Sequence, residues 1–196
     1  MILGICGQKK SGKTFTAELL KHLFELHGVK FEKRAFAAPL KEACRTMFLF
    51  TDDQLYGDDD IKNQVDPRWG VSPRFAMQTL GTEYGRDTIR KDIWIKRMEL
   101  EVELLESKGF HTLIDDVRFL NEAEWVRSMG GTIIGVQSEE SLSADDQHPS
   151  EKEMRENFET MTDVIVFNCK THNYEPCLTE ALDSCGVWDK IVLGEE

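Results

Sequence analysis

Positive charge is scarce in this chain. Lysine and arginine total 24 against 36 aspartates and glutamates, a formal net charge of −12, which excludes broad electrostatic attachment to a nucleic acid polymer or an anionic membrane surface. Any anionic ligand must therefore be met by a local concentration of donors. Apolar residues never run to the ~20 that a bilayer span needs, and the opening MILGIC is too short for the hydrophobic region of a secretory signal. The five cysteines, Cys6, Cys44, Cys169, Cys177 and Cys185, form no CxxC pair and join no histidine cluster at zinc spacing. Neither a disulfide framework nor a structural zinc site is expected from them; they read as reduced thiols of a soluble intracellular protein. The chain shows neither internal repeats nor low-complexity tracts. Its 196 residues suit a single domain, 1–196, large enough to bury a real core.

Against these absences stands one dense motif. Residues 7–14 read GQKKSGKT, the Gly, four residues, Gly-Lys-Thr pattern of a phosphate-cradling loop. Ile2, Leu3 and Ile5 before it suit a buried parallel strand. Lys13–His27 after it carries Leu19, Leu20, Leu23, Phe24 and Leu26 at roughly helical spacing, with Gly28 placed for a left-handed cap. Converging backbone N–H groups and the partial positive charge of a helix N-terminus make such a loop a site for a di- or triphosphate. Gly7, Lys10, Ser11 and Gly12 would line it, Lys13 would reach the β and γ phosphates, and Thr14 would offer a hydroxyl to Mg2+. Lys9 and Lys10 read equally as solvated loop lysines.

Farther along, the pattern predicts a second strand in Lys30–Phe36 and a helix from Pro39 through LKEACRTMFLF. A surface connection over Thr51–Gly70 follows, then a helix in RFAMQTLGTEYGRD and an amphipathic helix at about Ile93–Ser107. FHTLIDD reads as a strand ending in Asp115 and Asp116, candidates for the metal-side carboxylate at the ligand edge of an α/β sheet. A helix at about Asn121–Met129, a strand TIIGV, a polar loop SEESLSADDQHPSE, a strand DVIVFN and a helix near Pro176–Ser184 complete the order, with Trp188, Ile191 and Leu193 docking the tail. Strands alternating with helices imply an α/β fold, a mostly parallel central sheet with helices on both faces.

A phosphoryl group held on such a loop can be hydrolysed, passed to a hydroxyl, or passed to another phosphate. No NKxD base-reading signature and no water-positioning glutamine motif is present. A hydroxyl acceptor wants a base to take its proton, whereas a phosphate acceptor is already ionised and instead needs cations to offset its charge. Lys41, Arg74, Arg86, Arg118 and Arg127 lie near the predicted ligand edge. Each alone reads as a surface residue; together they favour phosphate-to-phosphate transfer.

Five segments then run in one order: GQKKSGKT, FAAPLKEA at 36–43, RFAMQTLGTEYGRD at 74–87 with DIWIKR after it, IDDVRFLNEAE at 114–124 and HPSE at 148–151. With them the chain resembles the phage-type deoxynucleoside monophosphate kinases and, more distantly, animal phosphomevalonate kinases. The resemblance implies a P-loop kinase fold and transfer of the γ-phosphoryl of ATP, with Mg2+, to a deoxynucleoside monophosphate. It also implies acceptor-binding helices at about 38–108, lid-like segments at about 117–130 and 139–151, and a cytoplasmic location, the host cytoplasm for a phage-encoded chain. A homodimer is left open. Carried over by position, Lys41 and Arg74 face the acceptor phosphate, and Gln78, Gly81, Thr82 and Arg86 line the acceptor pocket. Trp94 stacks on a base or packs in the core. Asp116 is the motif aspartate and Arg118 clamps the moving phosphoryl. His148 and Glu151 contact sugar or base, with His148 reading equally as a loop residue. Some members of that family carry Asp where this chain has Thr14. Thr51–Gly70 matches nothing in the family and is the candidate for base choice. The rivals are a phosphomevalonate kinase-like enzyme and a regulatory protein that binds ATP without transfer.

Overall fold

Five strands line up in parallel in the order β2-β3-β1-β4-β5: β1 (Ile2–Cys6), β2 (Phe31–Arg34), β3 (His111–Val117), β4 (Thr132–Gln137) and β5 (Val164–Phe167). The computed structural model describes residues 1–142, 149–169, 171 and 173–193. The α/β architecture with an all-parallel sheet is the one expected from the alternation of strand and helix patterns. Two compact units divide the chain. One comprises Met1–Ala35 with Glu99–Glu196 and holds the sheet; the other is Phe36–Met98.

In the sheet unit, period-two alternation sends Leu3 and Ile5 of β1 to one face. There they pack with Ala17, Leu20 and Phe24 of α1 (Lys13–Leu26) and with Tyr174, Leu178 and Leu182 of a C-terminal helix, Tyr174–Ser184. On the other face Gly4 looks toward Val126 of the helix Leu120–Ser128, and Gly135 toward Phe158 of the helix Pro149–Met161. Both faces are covered, which is the condition under which a parallel sheet is stable. Leu20 is fully buried, and Leu20→Ala is expected to cost about 2–5 kcal/mol. Val187 and Ile191 join this core with Trp188 packed against it, so Trp188 and Ile191 dock the tail as expected; the side chain of Leu193 lies outside those described.

The other unit is helical, with its own small core of Cys44, Phe50, Leu55 and Ala76. Its elements are α2 (Ala38–Phe48), α3 (Asp52–Tyr56), α4 (Asp59–Asn63), α5 (Pro73–Gln78) and a π-helix, Thr79–Ile89. Residues 51–70, expected as an irregular connection, instead contain α3 and α4. The reason is local capping. Thr51 Oγ1 accepts from Gln54 N at 3.3 Å while Gln54 Oε1 accepts from Thr51 N at 3.0 Å, and Asp58 Oδ1 accepts from Ile61 N at 3.0 Å. The expected single helix in RFAMQTLGTEYGRD is likewise two elements, α5 and then the wider π turn. The amphipathic helix near Ile93 is α6 (Ile93–Glu106), and Leu120–Ser128 is α7.

Past β4 the expected polar loop contains a short helix, α8 (Glu139–Leu142), and the start of α9 (Pro149–Met161), an element the sequence reading did not anticipate; the C-terminal helix Tyr174–Ser184 is α10. Met154, Phe158 and Met161 bury the apolar stripe of α9. Four-residue and three-residue steps hide that stripe among nine charged or polar positions.

Candidate active site

β1, buried throughout, delivers the chain into the glycine loop at the C-terminal edge of the sheet. The loop turns on two left-handed residues, Lys10 at φ 66° and Gly12 at φ 95°. Gly7 is pressed against the next strand, where a Cβ would come within 2.4 Å of Val136 O and 2.7 Å of Ser11 Oγ. Lys13 folds across the loop and its Nζ donates to Gly7 O at 2.5 Å and Gln8 O at 2.8 Å. The first turn of α1 contains no acidic residue, and Gly12 supplies no side-chain cap. The positive end of the helix dipole is thus not neutralised by a cap or an acid of its own. Thr14, second in the helix, is exposed. Ser11 Oγ is buried and has no hydrogen-bond partner. Cys6, the residue before the loop, has its thiol pushed up to about 12 by burial, so it stays protonated and adds no competing charge.

Two residues that the sequence reading passed over lie beneath this loop. Ser138, just past β4, donates from Oγ to Lys10 O at 3.0 Å, and Asn168, just past β5, donates from Nδ2 to Ser11 O at 3.1 Å. Their signal was positional: each is the first or second polar residue after an apolar strand, which puts it at the same sheet edge as the loop. A third contact comes from α10. Tyr174 Oη lies 2.6 Å from Thr16 Oγ1, which itself donates to Gly12 O at 3.1 Å. Burial pushes the Tyr174 phenol up to about 12, so its proton stays in place for this bond.

The tandem aspartates sit near the C-terminal end of β3, as expected, with Val117 the last residue of the strand. Gly4 pairs with Ile114 and Cys6 with Val117, so one residue of β1 faces both Asp115 and Asp116. This is a β-bulge, a device that re-aims side chains beside functional sites. Asp115 Oδ2 is 3.7 Å from Lys33 Nζ, and Lys33 also pairs with Glu18 at 2.5 Å. Burial pulls the Lys33 ammonium down, but Glu18 and Asp115 outweigh it and hold its pKa above the ordinary value. Asp116 follows, half-buried. Arg118 leaves the strand with its backbone fixed: its N–H and that of Phe119 both donate to Glu122 Oε2, at 2.8 and 3.1 Å, and Leu120 N–H donates to Glu153 Oε1 at 3.1 Å. Arg127 does not belong to this edge. It lies in the last turn of α7, and its Nε donates to Asp163 Oδ1 at 2.8 Å just before β5 begins, at the opposite end of the strands. His148 lies outside the described residues, and Glu151 falls in the first turn of α9.

Within the helical unit, Lys41 of α2 lies over the Tyr56 ring, 4.2 Å from its centroid. Arg74, in the first turn of α5, is ion-paired to Asp59 of α4. The segment at 51–63 thus supplies a partner to each of two cations that the sequence pointed to. Gln78 ends α5, while Gly81, Thr82 and Arg86 lie on the π-helix, a rare form that is frequent at functional sites. Trp94 Nε1 donates to Gly81 O at 2.9 Å, and its ring lies so close to Gly85 that a Cβ there would meet it at 3.0 Å. Trp94, expected to stack on a base or pack in the core, is half-buried and braces the π-helix through these contacts.

No helix of the described residues is long and apolar enough to cross a membrane, and no group of three or more His, Cys, Asp or Glu among them is arranged to hold a metal ion. The model of the deoxynucleotide monophosphate kinase family matches residues 55–173. A protein of Acanthamoeba polyphaga mimivirus whose name carries those same words is 35% identical over 181 residues, 87% of this chain and 90% of its own. The deoxynucleoside-5′-monophosphate kinase of Escherichia phage T5 is 33% identical over 87 residues, 41% of this chain and 34% of its own. The crystal structure of APE1195 aligns over 94% of each chain at 14% identity, with a TM-score of 0.45. The family model spans more than half of the chain and the mimivirus relative is matched over most of its length: the chain belongs to the deoxynucleotide monophosphate kinase family and is a phosphotransferase acting on a nucleotide monophosphate.

Proposed function

We propose that the chain transfers the γ-phosphoryl group of ATP to a deoxynucleoside 5′-monophosphate, giving ADP and the deoxynucleoside diphosphate. An oxygen of the acceptor phosphate forms a bond to Pγ as the bond from Pγ to the β,γ-bridging oxygen breaks, and that oxygen leaves with ADP. No proton need be removed from the acceptor, so no base is required. The observation that carries the reading is the Gly7–Thr14 cradle, where Lys13 and the unneutralised start of α1 converge in a chain otherwise rich in carboxylates.

The residues fit the donor and its metal. Gly7 and Gly12 stand where a Cβ would collide with the loop's surroundings, Ser11 Oγ is a buried polar atom without a partner, and the N-terminal turn of α1 carries no acid. Thr14 and Asp116 would supply hard oxygen ligands of the kind that Mg2+ prefers. When bound, Mg2+ neutralises charge on the β and γ phosphate oxygens. Lys13 stabilises the charge that grows on the bridging oxygen, and Arg118, its backbone held by Glu122, clamps the transferring group. In the helical unit we assign Lys41 and Arg74 to the acceptor phosphate and Gln78, Gly81, Thr82 and Arg86 to the rest of the acceptor, with Trp94 bracing the π-helix.

The test is an acceptor panel. Purified protein with ATP and Mg2+ is expected to release ADP with at least one of the four common deoxynucleoside monophosphates. Silence with all four, accompanied by turnover of phosphomevalonate, would reassign the acceptor; ATP binding without any turnover would make the protein a non-catalytic binder.

A further inference from the structure

We propose that Asn168, assisted by Ser138, is a positioning residue that aims the loop's N–H groups at the donor phosphates by holding the carbonyls of Ser11 and Lys10 away from them.

A trans peptide unit points its C=O and the following N–H in opposite directions. Fixing a carbonyl therefore fixes the direction of the next residue's N–H. Three successive carbonyls of the loop are fixed: Lys10 O by Ser138 Oγ at 3.0 Å, Ser11 O by Asn168 Nδ2 at 3.1 Å, and Gly12 O by Thr16 N at 2.9 Å and Thr16 Oγ1 at 3.1 Å. The corresponding amides are those of Ser11, Gly12 and Lys13. Ser11 N–H is used within the loop, donating to Gln8 O at 3.2 Å; the amides of Gly12 and Lys13 are turned to the side opposite the anchored carbonyls of Ser11 and Gly12. Thr16 acts from within the helix that the motif itself starts. Ser138 and Asn168 are different, because they reach the loop from the ends of two other strands.

Both are built as anchors rather than surface contacts. Asn168 is 4% exposed and its own N–H donates to Gln137 O at 2.7 Å, tying it to β4. Its Nδ2 occupies the place where a Cβ on Gly12 would fall, 2.1 Å away. Glycine at 12 thus serves two demands at once, the left-handed φ and room for this amide. Ser138 is 1% exposed and locked reciprocally with Ser141: Ser138 N donates to Ser141 Oγ at 2.8 Å and Ser141 N to Ser138 Oγ at 3.2 Å. Lys10, a non-glycine residue held at positive φ, is a conformation that persists only where the surroundings impose it. The bond from Ser138 to the Lys10 carbonyl imposes it.

The discriminating substitution is Asn168→Asp, which keeps shape and replaces the donor by an oxygen. Ionised, the new carboxylate faces the Ser11 carbonyl and repels it. Protonated, it can donate as the amide did. Its burial raises the pKa of the introduced group, so the defect should be present at high pH and relieved at low pH, opposite to simple damage. ATP affinity is measured by titration calorimetry at about pH 8.5 and about pH 6, a window in which a buried carboxyl can titrate, for wild type, Asn168→Asp and Ser138→Ala. Relative to wild type at the same pH, Asn168→Asp is expected to bind ATP about tenfold or more weakly at the higher pH and to recover most of that at the lower, with deoxynucleoside monophosphate affinity within about twofold throughout. Ser138→Ala, the variant to rely on if Asn168→Asp fails to fold, is expected to lose about threefold for ATP and nothing for the acceptor. ATP binding at the wild-type level in both variants, or a loss in Asn168→Asp that is independent of pH and shared by the acceptor, overturns the proposal. The inference rests on assigning Gly7–Thr14 to the donor. Wild-type protein that binds no ATP defeats that assignment, whereas wild-type binding with insensitive variants defeats only the positioning role.

Discussion

Two turns of this chain have the same local plan and opposite electrostatics. β1 runs into the glycine loop and α1; β3, its neighbour, runs into the turn at Arg118 and α7. At α7 the first amides are satisfied from within the protein: two by Glu122, which is 2% exposed, and one by Glu153. At α1 no carboxylate stands in the first turn. The first turns of α2, α5 and α6 also lack an acid, so the omission counts only together with the glycine loop before α1, which brings converging N–H groups of the kind an outside anion needs. Net charge says nothing about this, because only groups within the first turn matter.

The comparison breaks first at Lys13. Lys13→Ala should lower kcat by about a hundredfold to a thousandfold while leaving acceptor affinity nearly unchanged, since the lost charge interaction grows in the transition state; steady-state kinetics beside a binding titration check it, and equal losses in both would count against the role. Glu122→Ala should do the reverse, costing about 1–3 kcal/mol of stability by leaving the N–H groups of Arg118 and Phe119 without their acceptor. Urea unfolding measures this, and Glu122→Gln, which keeps an acceptor oxygen, should recover a good part. Phe15→Glu sharpens the contrast further. Phe15 is 59% exposed in the first turn of α1, and a carboxylate there should stabilise the helix by about 0.3–1 kcal/mol while weakening ATP binding several-fold. Opposite signs in melting temperature and ATP affinity are the result to look for; the same sign in both would mean that the start of α1 is not the donor site.

The smallest effect concerns a third capping carboxylate, Asp66, in the helical unit. Its Oδ1 accepts from the Arg68 N–H at 2.9 Å, and its carboxylate is bonded by the Arg68 guanidinium and by Gln54. The bonds from Arg68, then Gln54, hold its pKa well below the usual carboxylate range. A depressed folded-state pKa contributes stability that is present in full above about pH 4, the unfolded value, and is lost as pH falls toward the folded one. Asp66→Asn should therefore flatten the loss of stability on acidification below about pH 4, which unfolding curves against pH will show.

The sheet and the donor loop were legible because their signals are local: apolar runs at β1, β3, β4 and β5, and a motif whose spacing dictates its backbone. The kinship was legible too, since QTLGTEYGR and DDVRFLNE are particular enough to name a family. What escaped was cooperative. Glu153 reveals its role only when α9 lies beside the start of α7, whereas Glu122 acts locally, three and four residues from the amides it binds, and could have been found as a capping glutamate. Asn168 and Ser138 are short polar residues whose importance comes from two strand ends meeting the loop. The helices at 51–63 could have been found from Thr51-x-x-Gln54 and the caps at Asp58, but the density of acids in that stretch read as solvated loop. Arg127 shows the converse error. Its charge suggested the ligand edge, while its place nine residues past Arg118 carries it down α7 to the far end of the strands.

The extra residue at Asp115 and Asp116 decides how many carboxylates stand over one position of β1. Regular pairing would set a single residue of β3 against Ile5, between the pairs Gly4–Ile114 and Cys6–Val117. With two residues in that interval, β3 keeps Val117 opposite Cys6 and beside Gly4 while carrying a second acid at the same height. Removing either aspartate would leave the flanking pairs in register and take away one carboxylate, so the bulge is what lets the strand double its acid without moving its interior side chains.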